Sequence, residues 1–203
     1  MKLLGSPGSP YARKVRIVLE EKRLAYEWVV ARPSAPGSPV PDYNPLGKIP
    51  VLIRDDGRPL YDSVVIVEYA DGIGRGPRLI PESFEDRIEV KRWEALGDGI
   101  AESTVAISHD YRKPKERWEA PEWHRKHRLK IERGLAQIAQ DLGDRAYCHG
   151  DGYTLADIAA GYALAYLDQV LTEVEWRAQY PTLVALAARL AERAAFRATT
   201  PVL

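Results

Sequence analysis

Disulfides, long apolar runs and a net charge are all missing from this chain. Cysteine occurs once, as Cys148, so no intrachain disulfide can form, and a single thiol points only weakly to a reducing compartment. The 29 basic and 29 acidic side chains cancel, and without an overall field nothing draws the protein to nucleic acid or to an anionic membrane. The imbalance between segments is mild, since residues 1–80 carry 12 basic and 9 acidic side chains. No apolar stretch reaches the roughly 18 residues that a membrane span needs, and Met1 to Pro7 lacks the apolar core of a signal peptide. There is no internal repeat. The expectation is a cytoplasmic protein with neither membrane nor nucleic acid as partner. At 203 residues the chain is one large domain or two small ones and buries roughly 70 % of its unfolded surface.

What is present is turn chemistry set against short apolar runs. Asn44-Pro45-Leu46-Gly47-Lys48 marks a loop, Val51-Leu52-Ile53 is an apolar run, and Pro50 at the seam removes that run's first backbone donor. Nearby backbone groups are thereby left for another partner. A peptide-like ligand adding as a short extra strand would use them; alternatively Pro50 merely opens an edge strand, where proline is tolerated.

Taken in order, Lys2-Leu3-Leu4-Gly5 reads as a strand and Ser6-Pro7-Gly8 as a turn. Ser9-Pro10 is an N-cap with proline at the first helical position, and Val15, Val18, Leu19 and Leu24 supply a helix period. Tyr26, Trp28 and Val30 mark a second strand. From Arg32 to Pro45 the prolines at 33, 36, 39, 41 and 45 forbid a regular helix. Asp55-Asp56-Gly57 between two apolar runs reads as a hairpin, and Asp62-Ser63 caps a helix that reaches about Asp71. The order is βαβ, irregular link, ββα. A glycine- and proline-rich linker follows over 72–84, and beyond it the strand signals stop.

The second half is helical. Trp93, Leu96, Ile100 and Ile107 line one amphipathic helix, and Ile131, Leu135, Ile138 and Leu142 line another. Gly97 and Gly99 each cost about 1 kcal/mol relative to alanine inside the first, which implies a close approach by a neighbouring helix or subunit, or a kink. Thr154-Leu155-Ala156-Asp157 is a capping-box start for a helix whose only charge from Leu155 to Leu167 is Asp157. That helix should be central, with its carboxylate buried and hydrogen-bonded. Tyr180-Pro181 opens a last amphipathic helix through Leu190.

Four segments converge on a family. Ser9-Pro10-Tyr11-Ala12-Arg13-Lys14-Val15-Arg16, the Asn44 to Leu52 stretch, Tyr61-Asp62-Ser63 and Tyr153-Thr154-Leu155-Ala156-Asp157 resemble, in order and spacing, the cytosolic glutathione transferases. The resemblance covers essentially the whole chain, and the short length and N-terminal serine look like the bacterial members of unassigned substrate. It implies an α+β architecture: a thioredoxin-like βαβ-ββα domain over 1–75 that binds glutathione, a linker at 76–84, and an all-α helical-bundle domain over 85–203. It also implies a cytoplasmic homodimer engaged in detoxification, with glutathione as co-substrate, a small electrophile as second substrate and no metal.

The resemblance assigns the site residue by residue. Ile49-Pro50 takes the place of the family's cis-proline, which turns the Ile49 backbone towards the cysteinyl part of glutathione. Ser9 falls at the catalytic position, with Ser6 and Tyr11 as nearby alternatives for contact with the sulfur. The task there is to hold a thiolate, since an unperturbed thiol near pKa 8.5 is only a few per cent ionised at neutral pH, and lowering that pKa by one to two units takes roughly 1.4–2.7 kcal/mol. A hydroxyl donor beside a helix N-terminus has that capacity. The residue reading of Ser9 is simply an N-cap, and the two roles hold together if the hydroxyl turns from helix to ligand. Asp62 and Ser63 match the acid-serine pair that holds the γ-glutamyl end, although aspartate is shorter than the family's usual glutamate or glutamine. Lys48 either neighbours the glycine carboxylate or is an exposed loop lysine.

For the second substrate, family geometry points to Tyr11 and to Ser103, Ile107, His109 and Tyr111. His124 and His127 lack a third ligand at metal spacing. The segment 112–130 holds eight basic residues, three acids and two tryptophans, which reads as a solvated face rather than a nucleic-acid contact. Conjugation, isomerisation and dehalogenation all suit a glutathione-dependent transferase of this kind. The alternative is a non-catalytic binding or regulatory module of the same fold with a protein partner. A serine at position 9 argues against reductase chemistry, which uses cysteine there.

Overall fold

In the computed structural model, which describes residues 1–201, the chain divides into two compact units. One comprises Met1–Ile80 together with the segment from Glu192 onward, and the other is Pro81–Ala191.

The first unit holds β1 (Lys2–Gly5), α1 (Pro10–Glu21), β2 (Glu27–Val30), α2 (Val40–Tyr43), β3 (Val51–Ile53), β4 (Pro59–Leu60) and α3 (Ser63–Ile73). The sheet runs β2-β1-β3-β4, with β1 parallel to β2 and the other pairs antiparallel. This is the thioredoxin-like arrangement. Side-chain alternation along the strands builds two cores. Leu4 and Val51, opposite one another across β1 and β3, pack with Ala31 and with Val40 of α2. Leu3 and Leu52 point to the other face, where α1 packs on α3 and α3 on β3. The proline-rich link does hold one helical turn, α2, because Pro41 sits in its first turn, where a missing N–H costs nothing. The hairpin is closed by Gly57 at φ 79° and by the Arg54 N–H, which donates to the Arg58 carbonyl at 3.1 Å.

Beyond α3 the glycine- and proline-rich stretch is tied down. Asp71, 1 % exposed, accepts from the N–H of Leu79 at 2.8 Å and of Ile80 at 3.2 Å, and pairs with the equally buried Lys22 at 3.1 Å. Lys22 also donates to the Pro77 carbonyl at 2.9 Å. Residues 77–80 therefore belong to the first unit.

The second unit holds α4 (Phe84–Tyr111), α5 (Pro121–Leu142), α6 (Leu155–Val170), α7 (Trp176–Gln179) and α8 (Pro181–Ala191), packed chiefly as α4 against α6 and α5. Gly97 and Gly99 differ in kind. A Cβ on Gly97 would lie 2.6 Å from the Ala159 carbonyl of α6, so that glycine marks the closest approach of two helices, whereas a Cβ on Gly99 meets open space. α6 is buried nearly all round, and its capping box is complete. Asp157, fully buried, accepts from the Cys148 and Thr154 N–H groups, both at 2.9 Å, and from the Thr154 hydroxyl at 3.3 Å.

α8 is not the last helix. α9 (Ala194–Ala198) follows and packs on α1 of the first unit, because Arg193 makes a two-pronged pair with Glu21 at 2.7 and 2.8 Å and Phe196 lies under the Arg13 guanidinium. A five-residue helix is too short to announce itself by periodicity. No helix among the described residues is long and apolar enough to cross a membrane.

Candidate functional site

Strand register decides where the expected site residues go. β1 ends beside the start of β3, with Leu4 opposite Val51, and the start of β3 lies beside the end of β4, with Leu52 opposite Leu60. The chain leaves β1 towards Ser9, enters β3 through Ile49-Pro50 and leaves β4 towards Asp62-Ser63. All three segments therefore lie at one end of the sheet. The N-termini of α1 and α3 are at that end too, and each presents the positive end of a helix dipole.

Ser9 caps α1. Its Oγ accepts from the Ala12 N–H at 3.2 Å, its own N–H donates to the Ser6 carbonyl at 3.0 Å, and its carbonyl accepts from Arg13 at 3.1 Å. A hydroxyl has two acceptor lone pairs and one proton, so capping uses a lone pair and leaves the O–H to donate elsewhere. A cap and a donor to the sulfur therefore draw on different parts of the one hydroxyl. Ser9, Ser6 and Tyr11 are all half-buried, so each remains accessible.

The loop before β3 is organised by a residue that sequence reasoning treated only as a turn marker. Asn44, 2 % exposed, accepts from the Leu46 N–H at 3.0 Å through Oδ1 and donates to the Lys48 carbonyl at 2.9 Å through Nδ2. The available signal was Asn-Pro itself, since asparagine side chains bond the backbone two residues on. Lys48 extends its side chain to solvent, Ile49 is half-buried and Pro50 buried, and the Ile49–Pro50 bond is cis. On α3, Asp62 is the exposed N-cap, its Oδ1 accepting from the Val64 N–H at 3.1 Å, with Ser63 buried at the first helical position. The shorter aspartate thus spends one oxygen on its helix and keeps the other towards solvent.

The residues suggested for the second substrate do not all share a face. Ser103, Ile107 and Tyr111 recur every four positions along α4 and align; the first two are buried and Tyr111 is half-buried. His109 lies off that row and is exposed, and burial of part of its ring followed by the charge of Arg112 holds its pKa below the ordinary value. Cys148 is fully buried, and burial, then the Asp157 carboxylate, pushes its thiol far up, so it stays protonated and unreactive. Among the described residues no group of three or more His, Cys, Asp or Glu side chains is placed to hold a metal ion.

Comparison with known proteins shows the family. The model of the glutathione S-transferase N-terminal domain matches residues 3–78 and that of the C-terminal domain residues 121–189. The uncharacterized GST-like protein YibF of Escherichia coli K12 is 33 % identical over 201 residues, spanning 99 % of this chain and 98 % of YibF. The chain belongs to the glutathione S-transferase family. Among solved members, the glutathione transferase of Methylobacillus flagellatus KT with glutathione bound is 45 % identical with a TM-score of 0.95, covering 99 % of both chains. That of Methylobacterium radiotolerans JCM 2831, in complex with glutathione sulfonate, is 39 % identical with a TM-score of 0.93 over 100 % of this chain and 95 % of the other. The thioredoxin-like first unit and helical second unit are those of the glutathione transferase fold.

Proposed function

We propose that the protein is a glutathione-dependent transferase whose site is the sheet end where Ser9, Ile49-Pro50 and Asp62-Ser63 converge. The convergence carries the reading, since three short segments and two helix N-termini surround one spot where a tripeptide with two carboxylates would lie. The cysteinyl backbone pairs with Ile49 as a short extra strand. Its γ-glutamyl carboxylate takes the free N–H groups at the start of α3 beside Ser63, and the ammonium faces Asp62. Ser9 donates its hydroxyl proton to the sulfur, which favours the thiolate, and the thiolate attacks an apolar electrophile. The glutathione-bound relatives support this ligand.

A homodimer in the cytoplasm completes the proposal. Phe84 and Ile88 on α4 are 71 and 47 % exposed, apolar surface that a second copy would cover. The deciding experiment is calorimetric titration with glutathione, followed by a conjugation assay against a panel of small electrophiles. Saturable binding and turnover are expected. Absence of binding at millimolar glutathione would refute the transferase reading and leave the scaffold role.

A further inference from the structure

An aspartate followed by glycine is a chemical weak point of any chain, because the glycine nitrogen has no side chain beside it to hinder attack on the preceding carboxyl. Four such pairs occur, Asp56-Gly57, Asp71-Gly72, Asp98-Gly99 and Asp151-Gly152. In sequence they are equivalent. Attack needs a carboxyl free to swing, an amide free of its hydrogen bond and a backbone free to turn, and the fold grants these unequally.

Asp71 and Asp98 lie inside α3 and α4, where the next N–H belongs to the helical ladder and ring closure requires the aspartate to leave its helical ψ. Their carboxylates are also occupied, Asp71 by the Leu79 and Ile80 N–H groups and by Lys22, Asp98 by the Tyr162 hydroxyl. Asp56 lies in the hairpin turn but is clamped. Its Oδ1 accepts from the Arg58 N–H at 3.0 Å and its Oδ2 from Arg58 Nε and Nη2 at 2.9 and 2.7 Å, while the Gly57 N–H donates to the Arg54 carbonyl at 3.0 Å. Those bonds, the Arg58 side chain first, hold the Asp56 carboxyl below its ordinary pKa, in the anionic form that is the poorer electrophile.

Asp151-Gly152 has none of these restraints. Both residues are exposed in the loop between α5 and α6, neither the carboxylate nor the Gly152 N–H meets a partner among the described residues, and a Cβ on Gly152 would meet open space. We infer that Asp151 is a site of spontaneous covalent modification, where the side chain closes onto the Gly152 nitrogen and reopens as a β-linked aspartate. The nitrogen bonds to Cγ and gives up its proton, a carboxyl oxygen departs as water, and a five-membered imide remains. Solvent water then adds back. Addition at Cγ restores aspartate, whereas addition at the Asp151 main-chain carbonyl leaves the chain running through Cβ and Cγ. The product has one extra backbone atom between Cys148 and Thr154, whose N–H groups both donate to the buried Asp157 carboxylate at 2.9 Å. With both ends of the segment pinned, the added length strains the cap of α6.

The test ages the full-length protein at neutral pH, folded and in urea, and maps the four pairs by peptide mass spectrometry with electron-transfer fragmentation, which separates β-linked from ordinary aspartate. In the folded protein the β-linked form should accumulate at 151 at least about tenfold faster than at 56, 71 or 98, a barrier difference of about 1.4 kcal/mol. In urea the four rates should converge. Gly152→Ala, which keeps the fold, should slow the reaction at 151 at least about tenfold, and the isomerised fraction of the parent should unfold at a lower temperature than the rest. Uniform rates in the folded protein, a faster rate at another pair, no product at 151 while the urea-treated chain reacts, or a Gly152→Ala chain that isomerises as fast would overturn the assignment. An isomerised fraction that unfolds with the parent would overturn the strain on α6.

Discussion

Removing the Ser9 side chain tests the proposed chemistry, provided its two roles are separated. Ser9→Ala deletes both the acceptor that caps α1, now 3.2 Å from the Ala12 N–H, and the donor assigned to the glutathione sulfur. Losing a serine cap to alanine costs about 1 kcal/mol, but to glycine only a few tenths. For a chain of this size 1 kcal/mol lowers Tm by roughly 2–4 °C. A hydrogen bond to a charged acceptor is worth about 1.5–3 kcal/mol, and each pKa unit about 1.4 kcal/mol, so the bound thiol should rise by one to two units in either variant. Ser9→Gly should therefore unfold close to the parent temperature, Ser9→Ala a few degrees lower, and both should show the same raised thiol pKa. Ser9→Thr keeps cap and donor and should resemble the parent in both. The assay is the ultraviolet absorbance of bound thiolate against pH, beside thermal unfolding. A thiol pKa that stays put in Ser9→Gly while glutathione still binds would refute the argument, and a shift in Ser9→Ala alone would assign the effect to the helix.

Other outcomes follow from the packing. Gly97→Ala should destabilise by about 1–3 kcal/mol through forced separation of α4 from α6, while Gly99→Ala, facing open space, should stabilise by up to about 1 kcal/mol; chemical denaturation of the pair gives opposite signs two positions apart. Asp157→Ala strands two buried N–H donors at about 1–3 kcal/mol each and should lower Tm by about 4 °C or more at the same roughly 2–4 °C per kcal/mol. Asn44→Ala, with both loop bonds lost, should weaken glutathione binding by about tenfold, or 1.4 kcal/mol, with a smaller effect on unfolding than Asp157→Ala. Cys148 should resist iodoacetamide between pH 7 and 9 in the native protein and react once urea unfolds it, because burial keeps its thiol protonated.

Most of the element order was legible because each element announces itself locally. The Ser9-Pro10 cap, the Asp55-Asp56-Gly57 turn and the Thr154 to Asp157 box are local chemistry, and the structure realises each. The sheet end was not legible from residues alone. Nothing in Ser9, Pro50 or Asp62 says that they meet; that follows from the pairing of Leu4 with Val51 and of Leu52 with Leu60. Gly97 and Gly99 look alike in sequence, and only the position of the Ala159 carbonyl separates them. Asn44 went unread for the same reason. Its role depends on a partner brought near by folding, the Lys48 carbonyl.

The packing of α9 on α1 has a consequence for biosynthesis. The ribosome delivers residues 1–80 long before Arg193 and Phe196 exist, so the first unit must wait through the synthesis of the entire helical unit with the α1 surface around Arg13 and Glu21 uncovered. Truncation near residue 190, which looks like trimming the helical unit, removes a helix of the first unit, the unit proposed to bind glutathione.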